Sequence, residues 1–184
     1  LISLFSSSSV RTVMAENENY FDWFKDQQLN FGISFSSNSA IASNYDGRRS
    51  MNRVSFLAGN KSKFFNNRLT TYLSARAEYF SAGTLPVTGN ISTEYILIKS
   101  LVAKINVAKV YRQPTLNDLC WLPGGNVNLK PEQGYTFEGE LNFKKQINNI
   151  SFFISGAAFS RKINNWILWV PGASRNPSPL NIQQ

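Results

Sequence analysis

The stretch VYRQPTLNDLCWLPGGNVNLKPEQG, from Val110 to Gly134, decides how this 184-residue chain is interpreted. It is rich in proline, glycine and asparagine, and it separates two segments in which apolar and polar residues alternate. Prolines and paired glycines interrupt regular structure, so we expect neither a helix nor a continuous strand to cross it. A connection of this length is uncommon in a compact soluble domain and is usually functional.

Segments that alternate with a period of two recur along the chain. In the clearest one, Leu69 to Tyr79, one face is mainly apolar and the other mainly polar. This period predicts strands that are wetted on one face. Further strands are predicted at about residues 2–14, 28–37, 52–59, 88–98, 101–108, 135–144 and 150–158. We also expect a turn at about residues 16–25, a loop through Pro179 and the start of a final strand at Asn181.

Short and long connections alternate between these segments, as they do in outer-membrane barrels. The short turns fall near Phe65, Lys99 and Asn148, and the long loops near Asp46, Thr84, Pro123 and Pro177. The alternating period fits two architectures equally well. In a barrel the apolar face contacts lipid, whereas in a soluble β-sandwich it forms the core. Burial of the row Leu69, Leu73 and Tyr79 against a second layer would favour the sandwich.

Two motifs resemble the paired signature of TonB-dependent outer-membrane receptors. Tyr111 to Thr115 is similar to an aromatic-Arg-x-Pro-Thr element. Gly125 to Glu132 is similar to Gly-Asn-Pro-x-Leu-x-Pro-Glu, with Val127 at the usual proline position, and the next strand supplies Phe137-Glu138-Gly139 where the family has Glu-x-Gly. The resemblance implies structural roles for Arg112, Pro114, Asn126, Leu129, Pro131, Glu132, Glu138 and Gly139.

The resemblance also implies the fold and the location. The family fold is all-β, an antiparallel transmembrane β-barrel of 22 strands with a plug, in the outer membrane. We expect this chain to form an arc of about eight strands. Residues 1–184 are then a partial β-barrel domain, and the plug domain and the C-terminal strands are expected to lie outside it.

Three further segments look most like the cobalamin receptors of Bacteroidetes-type bacteria, namely Trp121–Asn126, Asn165–Trp169 and Pro179–Ile182. What this implies is an active transporter that imports a bulky, scarce nutrient, with cobalamin as the first candidate. The implied partners are TonB, engaged through the plug, outer-membrane lipid, a small-molecule ligand and a surface lipoprotein that lids the barrel. A ferric-siderophore receptor, a passive or assembly barrel and a soluble glycan-binding β-sandwich remain alternatives.

The candidate ligand contacts are Trp121, Asn126, Trp166 and Trp169, because aromatic rings and amides bind a large ring system by stacking and hydrogen bonding. Each also has a structural interpretation. Trp166 and Trp169 suit packing or an interfacial aromatic girdle, and Asn126 suits the cap of a turn. Arg112 and Glu132 are expected to pair across the base of the loop and to fix its shape.

The composition excludes several functions. The chain carries a formal charge of +8, but its basic residues are scattered, so a nucleic-acid partner is not expected. It has no histidine and one cysteine, Cys120, which excludes Ser-His or Cys-His catalysis, a His/Cys metal cluster and an intramolecular disulfide. Glu138 and Glu140 share one face of a strand, which is typical of an ordinary wet surface. We therefore expect no enzyme activity, metal or cofactor.

Overall fold

A computed structural model describes residues 7–81, 83–84, 86–171 and 176–183. The strands are β1 (Ser8–Phe24), β2 (Gln27–Ala42), β3 (Arg49–Phe64), β4 (Leu69–Phe80), β5 (Gly83–Thr84), β6 (Thr88–Ile98), β7 (Leu101–Arg112), β8 (Glu132–Ile147), β9 (Ile150–Asn164), β10 (Trp166–Pro171) and β11 (Pro177–Ile182). One short helix, α1 (Leu116–Cys120), lies between β7 and β8. Within these ranges no helix has the length and apolar character needed to cross a membrane.

Eight long strands form one antiparallel sheet in the order β1-β2-β3-β4-β6-β7-β8-β9, with the two-residue β5 paired to β4. Strands that follow one another along the chain are therefore neighbours in the sheet. The connections after β1, β3, β6 and β8 are tight turns, and those after β2, β4 and β7 at the opposite end are longer. This arrangement confirms the predicted antiparallel arc of about eight strands and its alternating connections.

β1 runs without interruption to Phe24, so the turn predicted over residues 16–25 is wrong. The turn is confined to Lys25 and Asp26, where Asp26 has a φ of 62°. The polar composition does not end the strand, because polar side chains of β1 form hydrogen bonds with side chains of β2. Asn30 Nδ2, for example, donates to Glu18 Oε1 at 2.8 Å. The first residues of the predicted strand 2–14, and Gln184, lie outside the described residues.

The apolar face of the sheet is exposed and the polar face is buried, which is the reverse of a soluble protein. On the apolar face, Leu73 is 53% exposed and Tyr79 is 61% exposed. On the polar face, Asn30, Ser55 and Glu78 are only 3%, 4% and 7% exposed. The polar side chains therefore converge on the inside of the arc and shield one another. A β-sandwich, which would bury the apolar row, is excluded.

The apolar face has the height that a bilayer requires. Along β8 the outward positions between Tyr135 and Lys145 are Phe137, Gly139, Leu141 and Phe143. These ten residues of strand extend about 33 Å, which corresponds to a height of about 23 Å at a tilt near 45°. The apolar band of outer-membrane barrels is about 25 Å tall. Tyr135 and Lys145 thus mark the two edges of a membrane-spanning band.

Candidate functional site

The connection between β7 and β8, residues 113–131, is called the mouth loop here because it lies at the end of the sheet with the long connections. It contains α1, a helix of five residues that the sequence did not predict, but no helix runs through the whole stretch, which is a long connection as expected. Thr115 caps the helix: its Oγ1 accepts from Asp118 N at 3.1 Å, and Asp118 Oδ2 accepts from Thr115 N at 2.9 Å. This reciprocal capping box stabilises a single helical turn among residues that otherwise favour loops.

The mouth loop crosses the concave side of the arc. Leu122 N donates to Asn44 O at 2.8 Å, and the Tyr45 hydroxyl is hydrogen-bonded to Asn117 Oδ1. Asn44 and Tyr45 belong to the connection between β2 and β3, which is separated from β7 in the sheet by β4 and β6. The loop can reach them only by passing over the polar inner face. It therefore covers part of the opening of the arc.

An ion pair closes the base of the mouth loop. Arg112 and Glu132 are directly opposed at the ends of β7 and β8. Arg112 Nε and Nη2 donate to Glu132 Oε2 and Oε1 at 2.9 and 2.7 Å, a bidentate arrangement that fixes orientation as well as distance. Arg112 Nη1 also lies 3.6 Å from Asp118 Oδ2. The pairing expected from the sequence is present, and it extends to the helix.

β10 and β11 form a separate two-stranded sheet, called the rim hairpin here. The loop predicted to run through Pro179 is therefore wrong for Pro177–Pro179, which begin β11; residues 172–175 of that predicted loop lie outside the described residues. Pro179 is fully buried, and Ile167 is 5% exposed. Prolines are tolerated here because a two-stranded sheet consists of edges.

The rim hairpin is joined to the mouth loop by polar contacts along its length. Ile167 N donates to Glu132 Oε1 at 2.8 Å, and Trp169 Nε1 donates to Asp118 Oδ1 at 3.0 Å. Asn181 accepts from Lys130 N at 2.8 Å and donates to Lys130 O at 2.9 Å. Glu132 and Asp118 each serve both the loop and the hairpin. The two segments therefore form one unit.

At Gly124 the backbone of the mouth loop packs closely against the backbone of β11. A Cβ placed on Gly124 would lie 2.1 Å from Pro177 O, far inside van der Waals contact. Only glycine fits between the mouth loop and β11 at this point without a shift of the backbone. The paired glycines that predict a loop thus also permit its packing.

Asp118 is the central acid of this unit. Burial raises the pKa of its carboxyl, but hydrogen bonds from Thr115 N, the Trp169 indole and the Thr115 hydroxyl, together with the charge of Arg112, outweigh that effect. The pKa is therefore lowered below its ordinary value of 3.8. Asp118 remains ionised at neutral pH as the acceptor that joins the loop, the hairpin and Arg112.

The four predicted ligand contacts have different environments. Trp169 and Asn126 use their polar groups internally: the Trp169 indole binds Asp118, while Asn126 donates to Pro179 O at 3.1 Å and accepts from Asn128 N at 3.0 Å. Trp121 is half-buried at the C-terminus of α1. Trp166 is 42% exposed and lines a cleft of about 330 Å³ with Arg112, Glu132, Arg161 and Ile163.

The other motif residues divide between the loop and the barrel wall. Pro114 is buried, and Leu129 and Pro131 are half-buried, all within the mouth loop. Glu138 lies on the inner face of β8, whereas Gly139 lies on the outer face, where an added Cβ would meet open space. Packing within this chain gives no reason for glycine at position 139.

A cavity of about 590 Å³ lies on the inner face, lined by residues that include Arg53, Arg76, Glu78, Arg112 and Gln113. Arg53 Nη1 is 3.8 Å from Glu78 Oε1, which also accepts from Ser55 Oγ at 2.6 Å. No sequence pattern singled out Arg53, Arg76 and Glu78 in this lining, nor Asn44, Tyr45 and Asp118 in the mouth loop and its contacts. The spacing Thr115-x-x-Asp118 was the one local signal that could have predicted the helix cap.

Comparisons with known proteins agree with this architecture. The family model described as TonB dependent receptor-like, beta-barrel matches residues 5–184. The vitamin B12 transporter BtuB of Photobacterium profundum is 32% identical over 101 residues, which are 53% of this chain and 16% of that protein. The vitamin B12 transporter BtuB of Vibrio vulnificus is 27% identical over 145 residues, 77% of this chain and 22% of that protein. The chain thus spans about a fifth of the length of these curated relatives.

Solved structures share the fold. The siderophore receptor PirA from Pseudomonas aeruginosa superimposes with a TM-score of 0.83 at 14% identity, over 98% of this chain and 38% of that chain. The Serratia marcescens hemophore receptor HasR gives a TM-score of 0.79 at 13% identity, over 96% of this chain and 38% of that chain. Almost all of the sheet therefore corresponds to part of a larger closed barrel. The chain is an arc of an outer-membrane β-barrel and belongs to the family of TonB-dependent receptors.

Proposed function

We propose that this chain is the mouth-bearing part of an outer-membrane receptor that actively imports a bulky, scarce nutrient, with cobalamin as the cargo. Family membership supports active transport, and the two curated relatives named as vitamin B12 transporters support cobalamin. The observation that carries the proposal is the mouth loop, which crosses the inner face and is tied to the connection between β2 and β3. In the proposed mechanism, a plug domain and a segment that binds TonB act together with this barrel arc in the full-length receptor.

The environments of the four candidate residues suggest two roles. In the proposal Trp121 and Trp166 contact the cargo, because Trp121 lies in the mouth loop, Trp166 lines the cleft beside it, and neither indole N–H has a hydrogen-bond partner within the described residues. Trp169 and Asn126 instead hold the loop in place through Asp118 and Pro179. A corrin ring bearing amide groups offers a broad face for stacking and several hydrogen-bonding groups at its edge.

The inner cavity gives the cargo a polar path below the mouth loop. Its exposed arginine, Arg76, and the Arg53–Glu78 pair provide donors for amide and phosphate oxygens. A ferric-siderophore receptor is the second candidate, since its cargo also carries many oxygen acceptors. A surface lipoprotein that covers the mouth is a further proposed partner, and co-purification with the full-length receptor would detect it.

Uptake by the full-length receptor tests the proposal. A host that lacks its own cobalamin receptor is supplied with the gene, and accumulation of radiolabelled cobalamin is measured with and without functional TonB. A ferric siderophore is tested in parallel. We expect TonB-dependent accumulation of cobalamin. Accumulation of iron alone would assign the siderophore function, and TonB-independent uptake of either cargo would overturn active transport.

Substitutions at the mouth test the contact residues. Trp121→Ala is expected to weaken cobalamin binding about fivefold or more, because stacking of a flat ring on an aromatic side chain contributes about 1 to 3 kcal/mol where it has been measured for nucleic-acid bases. Trp121→Phe retains an aromatic face and serves as the matched control, with a loss of less than about threefold. Binding that is unchanged in Trp121→Ala would remove Trp121 from the site.

A further inference from the structure

Two lysines and a tyrosine form a row across the outer face of three adjacent strands. Lys109 of β7 is directly opposed to Tyr135 of β8, and Tyr135 is directly opposed to Lys162 of β9. Opposed residues on antiparallel strands have Cβ atoms about 4.5 to 5.5 Å apart, so the two lysines stand about 10 Å apart with the ring between them. Tyr135 is 49% exposed, Lys162 is exposed and Lys109 is half-buried. The row therefore presents two positive charges on the outer surface.

The described residues supply no acidic partner for these two charges. Within the described residues, neither Lys109 nor Lys162 forms an ion pair with a carboxylate. The adjacent rows on the same face carry no acid: one consists of Val107, Phe137 and Ser160, and the other of Tyr111, Gln133 and Asn164. An external anion would be the counter-charge.

The row lies at the edge of the apolar band. On the side of the tight turns, β7 and β8 continue with exposed apolar residues such as Ile105, Phe137 and Leu141. On the side of the mouth loop, the next row is polar. Long loops face the exterior in outer-membrane barrels, so the two lysines stand at the level of the outer-leaflet head groups.

Beyond the row of Val107, Phe137 and Ser160, the apolar band has room for hydrocarbon chains. Gly139 and Gly156 lie on the outer face of β8 and β9, and an added Cβ at either position would meet open space. Together with Ala158, opposite Gly139, they make a shallow area among larger apolar side chains. A molecule with an anionic head and apolar tails would match both the charged row and this area.

We propose that the row Lys109, Tyr135 and Lys162 is a binding site for a phosphorylated lipid of the outer leaflet. The two ammonium groups bind phosphate oxygens, the Tyr135 hydroxyl donates a further hydrogen bond, and the acyl chains pack over Gly139 and Gly156. A head group with two phosphates can engage both lysines at once. Long lysine side chains suit this position because their stems pack on apolar surface while their charges reach the head groups.

Lipid binding to the full-length receptor in neutral detergent tests the site, with bisphosphorylated lipid A as the probe. The variant Lys109→Gln/Lys162→Gln removes both charges. A polybasic contact contributes roughly a fivefold change in affinity per lysine, so loss of both lysines is expected to weaken binding about twenty-five-fold. The control Lys99→Gln/Lys145→Gln removes the same charge at the opposite end of the band and should change the affinity less than about twofold.

Two further measurements complete the test. Lys109→Arg/Lys162→Arg retains the charges and is expected to bind almost as tightly as the unmodified receptor, which separates loss of the site from loss of the fold. Lipid A without phosphates should bind the unmodified receptor as weakly as the glutamine variant binds the intact lipid. Equal affinity of the two glutamine variants, or equal binding of both lipids, would overturn the proposal. So would a change of oligomeric state with no change in lipid binding, since that would assign the row to a second copy of the receptor.

Discussion

Asp118 accepts the indole N–H of Trp169 at 3.0 Å, which joins a helix in the mouth loop to a strand of the rim hairpin 51 residues away. Each partner is fixed by other contacts. Asp118 caps α1, and Trp169 belongs to a strand anchored to Glu132 through Ile167 N. The conformation of the opening therefore depends on a side-chain contact between two segments that the backbone ladder does not connect.

Loss of this contact should loosen the opening without disturbing the barrel. Trp169→Phe keeps the ring but removes the donor, and a hydrogen bond to a charged group contributes about 1.5 to 3 kcal/mol. We expect faster hydrogen exchange in residues 115–121 and 166–170, with unchanged exchange in β4 and β7. Trp166→Phe is the matched control and should leave exchange in α1 unchanged. Equal protection of α1 in both variants would show that the contact contributes nothing.

The mouth loop should be sensitive to acid in a defined direction. The pKa of Asp118 is lowered in the folded loop, so its carboxylate stabilises the loop fully above the ordinary value of 3.8, and this contribution is lost as the pH falls through the lowered value. Tryptophan fluorescence of the opening should stay constant from neutral pH to about pH 5 and change only under more acidic conditions. Asp118→Asn should remove this acid transition, and a transition that persists in the variant would assign it to another group.

Glycine at position 124 should be required, in contrast to glycine at position 139. Gly124→Ala places a Cβ on Pro177 O, so the rim hairpin must shift, at a cost of about 1 to 3 kcal/mol. Gly139→Ala meets open space and should leave stability within about 0.5 kcal/mol. Limited proteolysis of the hairpin, together with thermal unfolding in detergent, compares the two. Similar behaviour of both variants would contradict the packing between Gly124 and β11.

The base of the mouth loop should distinguish arginine from lysine. Arg112→Lys keeps the positive charge but cannot form the two parallel hydrogen bonds to Glu132. We expect a loss of about 1 to 2 kcal/mol in the coupling between positions 112 and 132, measured by a double-mutant cycle with Glu132→Gln. Arg112 is the more exposed partner of the pair. A coupling close to zero would therefore mean that solvent screens its interaction with Glu132.

The barrel wall could be predicted from sequence because strand periodicity is a local property. Leu73 and Tyr79 fall on the same face by their spacing alone, and the tight turns at Asn67 and Asn148 follow from residues that tolerate positive φ. Periodicity could not indicate which face is buried. That required the exposure of Leu73 and Tyr79 and the burial of Ser55 and Glu78.

The opening was less predictable because its contacts are long-range. Tyr45 meets Asn117 over 72 residues, and Asn181 binds Lys130 over 51. No local pattern encodes either contact. The helix α1 was missed because the surrounding prolines and glycines dominate the composition, although the capping box at Thr115 overrides them locally. The acidic composition of residues 15–24 likewise concealed the second half of β1, which continues the predicted strand and pairs with β2 as far as Phe24, with a register shift after Asp22.

The outward rows between Tyr135 and Lys145 correspond to a hydrocarbon layer of about 23 Å, which is thin by the standards of most bilayers. The bacterial outer membrane is thinner than average, so hydrophobic mismatch is small there and grows in thicker membranes. Vesicles of short-chain phospholipids should accordingly accept the refolded receptor more readily than vesicles of long-chain phospholipids. The height of the apolar band thereby matches a thin bilayer better than a thick one.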